Sequence, residues 1–420
     1  MPDQSAPRPA ITMIWTRKLD GESMAGRLRI AQAIRSALSD WADLTLVRLP
    51  TPLTDRSIRR AARSALAWLS SFVKGPILPL QCALFASATD HERVCAAIPN
   101  AVTSIYLDGV RSYALLVRLR RERPDLRIVV DLDDLMSRRM ELLLKSGQPL
   151  SPGYLTKHLP GMVKTLVMSR GLGALIVRFE LNTLRVIERR LAALADALVL
   201  LSSEDAQVLR QLCEGQPQRA SIEVIAPGVE AVAAPQPLSS PARFVFIGSD
   251  ALTQNRLTID YLLDLWRRHA IETPLVLFGL QGRALDLPPA VSMAGYVDQI
   301  ADVYDGHSVL LTPSMIGGGL KTKVLEAFAY GAPVIGNPLT FESMPIEDYP
   351  LNFSDEAALV ELLRQPQTHQ ALFDTAAAAG AAYLAAHHSP EVFTARWRRI
   401  MAPQTVEAEE AASLRLEGRA

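Results

Sequence analysis

Three consecutive glycines, Gly317, Gly318 and Gly319, are followed within seven residues by Leu320, Lys321, Lys323 and Glu326. They lie in SVLLTPSMIGGGLKTKVLEAFAYGAPVIGN, Ser308 to Asn337, which reads as strand, glycine loop, helix, strand. Glycine has no side chain to block a ligand and tolerates positive φ, so successive N–H groups can point into one concavity. A helix expected from near Leu320 aims its unsatisfied N–H groups and positive dipole end at the same space. That space suits an anion such as a diphosphate. Lys323 and Glu326, three apart, share a helix face, while Leu320, Val324 and Phe328 form the packed side. Gly331 and Pro333 then stop the helix. A carboxylate one to two turns from a phosphate nest is placed to accept hydrogen bonds from ribose hydroxyls. The segment therefore reads as a nucleoside diphosphate site; a flexible turn beside a solvated helix pair is the alternative.

Other groups carry less. VVDLDDLMSRR puts Asp131, Asp133 and Asp134 at a strand end, where open α/β sheets hold ligands. Such a pattern could ligate a divalent cation, orient a reacting group or cap the next helix. An anion site made of glycines and a helix end requires no metal, so none is expected. Gly21, Gly26, Arg27, Arg29, Asp108 and Arg111 are candidates for the rim of a site. Lys157, Lys164 and Arg178 stand seven and fourteen apart in an apolar stretch, a pattern that fits peripheral contact with an anionic leaflet. Cys82, Cys95 and Cys213 show no zinc or disulfide spacing, and the seven histidines no metal spacing. Zinc chemistry and a Ser-His-Asp hydrolase are unsupported.

The elements around these residues alternate. ITMIWT, LTLVRL, Ser104 to Leu107 and RIVVDL read as strands, with helices at RLRIAQAIRSAL, Ser57 to Val73 and Ser112 to Arg123, and a short strand near Ala83. From about residue 138 to 177 the alternation breaks at several prolines and glycines, as in an insertion. RFELNTLRVIERRLAALA then reads as a helix with Leu181, Leu184, Ile187 and Leu191 on one face. After a linker at 229–242, strands and helices restart, with helices over Leu257 to Arg268 and Val297 to Tyr304. The expectation is two Rossmann-like doubly wound α/β domains facing across a cleft, at 10–228 and 243–385. A helix at 386–402 packs back on the first domain, and a tail follows at 403–420. The 420 residues contain 49% hydrophobic side chains and equal cations and anions at 44 each, so the chain has apolar surface for large cores and no overall field to recruit nucleic acid. Without an evident signal or spanning segment, a cytoplasmic location is expected, with contact at the inner membrane face.

GGGLKTKVLEAFAYGAPVI resembles the donor-site motif of retaining family 4 glycosyltransferases of the GT-B fold. FIGSDALTQN, holding Gly248 and Asn255, resembles the loop that opens that family's C-terminal domain. RFELNTLRVIERRLAALADALVLLSSEDAQVL resembles the helix and strand that close its N-terminal domain. The resemblance implies retaining, metal-independent transfer from a nucleotide sugar to a carbohydrate or lipid-linked glycan. It places Glu326 on the donor ribose, Arg256 and Lys323 on the diphosphate, and Asp133 or Asp134 beside the attacking hydroxyl. The family's first motif glutamate falls at Gly318. Two alternatives stay open, a sugar nucleotide epimerase and a scaffold that binds nucleotide without turnover.

Overall fold

The computed structural model describes residues 8–16, 26–52, 57–145, 170–232, 239, 242–344 and 346–402. The chain divides into two compact units, Met1–Pro227 with Glu391–Ala420, and Gly228–Pro390.

Unit 1 runs β1 (Ala10–Trp15), α1 (Gly26–Ser39), β2 (Asp43–Arg48), α2 (Ile58–Lys74), α3 (Leu80–Ala83), α4 (Ala88–Ala96), β3 (Val102–Asp108), α5 (Tyr113–Glu122), β4 (Arg127–Asp133), α6 (Met136–Lys145), α7 (Arg170–Leu194), β5 (Ala197–Leu200), α8 (Ser203–Cys213) and β6 (Ser221–Val224). Its sheet is parallel in the order β2-β1-β3-β4-β5-β6. Inner strands such as Val129–Leu132 and Ala197–Leu200 are buried along their length, because helices cover both faces of a parallel sheet. Leu181, Leu184, Ile187 and Leu191 bury the expected face of α7.

Unit 2 runs β7 (Arg243–Ile247), α9 (Thr253–His269), β8 (Leu275–Phe278), β9 (Val291–Gly295), β10 (Ser308–Leu311), α10 (Thr322–Ala329), β11 (Val334–Ile335), α11 (Pro338–Phe341), α12 (Glu356–Arg364) and α13 (Gln370–His387). Its sheet is parallel in the order β11-β10-β7-β8-β9. Phe244, Phe246, Trp266, Leu310, Phe328 and Phe373 fill its core. The last helix, α14 (Pro390–Met401), belongs to unit 1: Trp397 is buried against Tyr106, ring centroids 5.6 Å apart, and Arg127 Nε donates to Ile400 O at 2.7 Å.

Several local expectations need correction. The stretch near Ala83 is helical, α3, and its fully buried Cys82 shows that an apolar run of this length does not distinguish buried helix from strand. Helix α7 starts at Arg170 and continues through Gly171 and Gly173, because packing of its apolar face outweighs about 1 kcal/mol per glycine. Within the expected insertion, α6 extends to Lys145, while Lys157 and Lys164 lie outside the described residues. Helix α9 begins at Thr253, four residues before the expected start, and between Val297 and Tyr304 only a 3-10 turn forms at Ile300–Asp302. The described ends of the 229–242 stretch are tied to unit 2, Val229 N–H to His388 O at 2.8 Å and Val232 N–H to Ala329 O at 2.7 Å. Gly21 and residues 403–420 are outside the described set.

Candidate functional site

In unit 2 the strand order reverses between β7 and β10: β8 and β9 lie on one side, β11 on the other. Loops leaving the carboxyl ends of strands flanking such a reversal part to opposite faces and leave a crevice, where open α/β sheets bind ligands. Gly248 follows β7, and Gly317 to Gly319 follow β10. The topology alone thus brings together the two segments singled out in the sequence.

Gly318 and Gly319 adopt φ of 98° and 70°, the left-handed region that side chains resist. Lys321 Nζ donates to Gly318 O at 2.7 Å and Gly319 O at 3.0 Å, so this lysine staples the loop from within. Leu320 lies in the loop, because α10 starts two residues later than expected, at Thr322. The helix has no side-chain cap at its N-terminus, which follows directly on the glycine loop, and Val324 N–H turns back to Lys321 O at 2.9 Å. Val324 and Phe328 face the core as expected. Helix α10 ends at Ala329, with Gly331 at φ 68°.

Lys323 joins the two segments. Its Nζ donates to Asn255 Oδ1 at 3.1 Å and stands 4.2 Å from the centre of the Phe246 ring. The Asn255 amide nitrogen donates to Ser249 O at 3.0 Å, and a Cβ at Gly248 would lie 2.6 Å from it, so only glycine fits there. Burial of the ammonium pulls the Lys323 pKa down to about 7; Glu326, one turn on, opposes the shift, while Lys321 adds to it. Arg256, on the first turn of α9, is half-buried and is outside the Lys323–Asn255 pair. A pocket of about 440 Å³ opens beside the loop among Tyr261, Met315, Asn337, Phe353 and Glu356. Asn337 fixes Ser314 at the loop's entrance, accepting its N–H at 3.0 Å and donating to its carbonyl at 2.9 Å.

Glu342, which spacing did not single out, enters this site from the end of α11. Its carboxylate accepts the Gly318 N–H, and a Cβ on Gly317 would come within 2.7 Å of Oε2. The only sequence signal is its position shortly after β11, the strand paired with β10, because neighbouring parallel strands deliver their following loops to the same sheet end.

In unit 1 the reversal lies between β1 and β3. There Thr16 donates to the buried Asp108 carboxylate through its hydroxyl and, at 3.2 Å, through its N–H. Beside them Asp131 is fully buried; its Oδ2 accepts from Tyr106 OH at 2.6 Å and its Oδ1 from Asp133 N–H at 3.1 Å. Both oxygens of that carboxylate serve the fold, which removes Asp131 from a metal-ligating pattern. Asp133 sits at φ 68°, unusual for a residue with a Cβ, and Asp134 pairs with Arg139 at 3.4 Å. At the start of α6, Leu135 N–H goes to Asp205 Oδ2 and Ser137 N–H to Glu188 Oε1, each at 2.9 Å. Desolvation raises the pKa of both acids, Glu188 to about 7. Arg27 lies on α1 and Arg111 in a 3-10 turn after β3.

Residues 241–364 match the family model of glycosyl transferases group 1. No curated protein matches the sequence. Among solved structures, a sucrose-phosphate synthase from Thermosynechococcus elongatus superposes with a TM-score of 0.61 at 15% identity, covering 96% of this chain and 100% of that one. Anabaena Alr3699/HepE, solved in complex with UDP, gives 0.55 at 12% identity over 96% and 100%. The lipopolysaccharide outer core galactosyltransferase WaaB gives 0.50 at 12% over 93% and 98%. At such identities the superpositions establish fold, and the family match covers the unit that carries the glycine loop. The chain has the GT-B fold of these structures, and its residues 241–364 match the glycosyl transferases group 1 family.

Proposed function

We propose that unit 2 binds a nucleoside diphosphate sugar and that the enzyme transfers the sugar, with retention and without a metal, to a hydroxyl of a carbohydrate or lipid-linked glycan. The reading rests on the junction at the β7/β10 reversal, where a glycine loop, an uncapped helix start and the desolvated Lys323 converge. As the bond from the anomeric carbon to the diphosphate breaks, the electron pair leaves with the diphosphate, the acceptor oxygen bonds that carbon on the same face, and the hydroxyl proton passes to the departing phosphate oxygen. The loop N–H groups other than that of Gly318, which Glu342 holds, the helix N-terminus and Lys323 stabilise that charge, with Arg256 as the second cation. Glu326 accepts hydrogen bonds from the ribose. In unit 1, Asp133 or Asp134 orients the attacking hydroxyl. The Anabaena neighbour was also solved with UDP-glucose, which makes a uridine nucleotide the first candidate. Among the described residues no helix is long and apolar enough to cross a membrane, and we place the reaction in the cytoplasm, with the protein meeting the membrane peripherally.

The test is a calorimetric screen of UDP, GDP, ADP and CMP, with and without magnesium. Selective binding of one diphosphate, independent of the metal and weakened by about 1 kcal/mol or more in Glu326→Ala, supports the site. Folded protein that binds none of them refutes it, and binding without turnover of the matching sugar nucleotides identifies a scaffold. Retention is read from the product anomer by NMR; an inverted product removes it.

A further inference from the structure

Helix α2 is amphipathic in the wrong direction for a core helix. Its inward contacts are largely polar: Ser71 Oγ accepts Leu78 N–H at 3.1 Å, Ser64 Oγ donates to Leu84 O at 3.4 Å, and Arg60 pairs with Asp90 at 2.8 Å, with Ala67 and Trp68 its apolar contacts to the core. Its outward residues are apolar. Ile58 and Val73 are 86% and 87% exposed, and Leu66, Leu69 and Phe72 are exposed with them. At 100° per residue these five, with Ala62 and Ala65, fall within an arc of about 120°. Exposed Arg59, Arg63 and Lys74 lie about 20° to 80° beyond one edge of that arc, and the helix contains no acidic residue. Trp68, on the other border, is fixed by its Nε1–H to Leu78 O at 3.0 Å and packs edge-on against Phe179 of α7. Four residues before Phe179, Leu175 is exposed, which extends the apolar surface onto α7.

We propose that this face is a docking surface for an anionic lipid bilayer. A soluble protein partner would be met by a rim of mixed charge, whereas an apolar stripe on a helix that carries cations and no carboxylate matches acyl chains beneath anionic headgroups. This inference stands on exposure and charge, independently of the donor site, and locates contact on α2 rather than on the Lys157–Arg178 stretch. The experiment is flotation of the full chain with phosphatidylglycerol-containing and with pure phosphatidylcholine vesicles. Recovery at least tenfold higher on the anionic vesicles is expected, lost in Leu69→Glu/Phe72→Glu, with the anionic preference reduced in Arg59→Glu/Arg63→Glu. Both double variants alter exposed side chains, and their helicity and melting are compared with the wild type, because Phe72 also packs edge-on against Trp68. No flotation, equal flotation of the leucine–phenylalanine variant, or a homodimer that this variant dissolves without any vesicle binding overturns the proposal.

A second inference concerns Glu342 and rests on the donor-site reading. We infer that Glu342 supplies the sugar-contacting carboxylate that the family pattern places at residue 318. Its carboxylate is anchored on the Gly318 N–H, at the loop where the motif glutamate would start, and Gly317 has no side chain to displace it. Hydroxyls of the transferred sugar would donate to it. In Glu342→Gln, affinity for the nucleoside diphosphate stays within twofold of wild type while affinity for the sugar nucleotide falls about tenfold. A parallel fall in both marks a loop support, and tighter diphosphate binding marks a plug; either overturns the assignment. Absence of diphosphate binding by the wild type defeats the donor-site reading instead.

Discussion

Lys323 couples the site to pH. Free, its ammonium has a pKa of about 7, because burial disfavours charge. A bound diphosphate restores an anionic partner and raises that pKa, so at pH 8 binding takes up close to one proton, and at pH 6 almost none. Calorimetry in two buffers of different ionisation enthalpy reads this directly. Affinity should fall above pH 7, by up to about tenfold per unit, since one proton is linked. Lys323→Met should flatten the profile and weaken binding at pH 6 to 7. A flat wild-type profile would remove the lysine from the anion. In the free protein the sign reverses: the unfolded chain keeps the lysine protonated to about 10.4, so this residue makes folding more favourable as pH rises from 7 toward that value. Gly318→Ala tests the loop itself. At φ 98° a Cβ is strained by about 1 to 2 kcal/mol, so diphosphate affinity should fall while β10 and α10 stay folded by circular dichroism.

At the scale of elements, the start of α6 carries its own titration. Glu188 is buried, accepts Ser137 N–H through Oε1, and among the described residues its Oε2 meets no hydrogen-bond partner. A pKa of about 7 in the fold against about 4.3 unfolded means that its stabilisation is complete below pH 4 and lost as pH rises through 7. Glu188→Gln should therefore melt with a flatter profile from pH 5 to 8 and be the more stable protein at pH 8. Superimposable wild-type and variant profiles would show that the carboxyl is ionised in the fold. This capping was not legible in the sequence, because Glu188 and Asp205 reach α6 from helices about 50 and 70 residues further on. What was legible is local: the glycine loop with its helix, the buried face of α7, and the parallel strands whose unbroken apolar runs announce burial on both faces. Glu342 escaped because its approach to the glycines depends on β11 pairing with β10. The outward face of α2 escaped for a different reason: periodicity finds an apolar stripe without saying whether protein or something else covers it.

At the scale of the molecule, unit 1 is completed by a helix that follows unit 2 in sequence. Trp397 of α14 packs on Tyr106, whose hydroxyl holds Asp131, which in turn holds the backbone of Asp133. Ending the chain at Ser389 should lower the melting of unit 1 and leave that of unit 2 unchanged, as resolved by scanning calorimetry. It should also reduce transfer far more than diphosphate affinity. Equal destabilisation of both units would contradict the division.

The same feature sets an order of assembly on the ribosome. All strands of unit 1 emerge before unit 2, yet the tryptophan that seals the Tyr106 side of its sheet is translated after unit 2. The second unit, continuous in sequence, can close while the first still waits. Until α14 has emerged, a nascent chain would carry a closed second unit and an unsealed first one, and a product terminated before α14 would keep that imbalance.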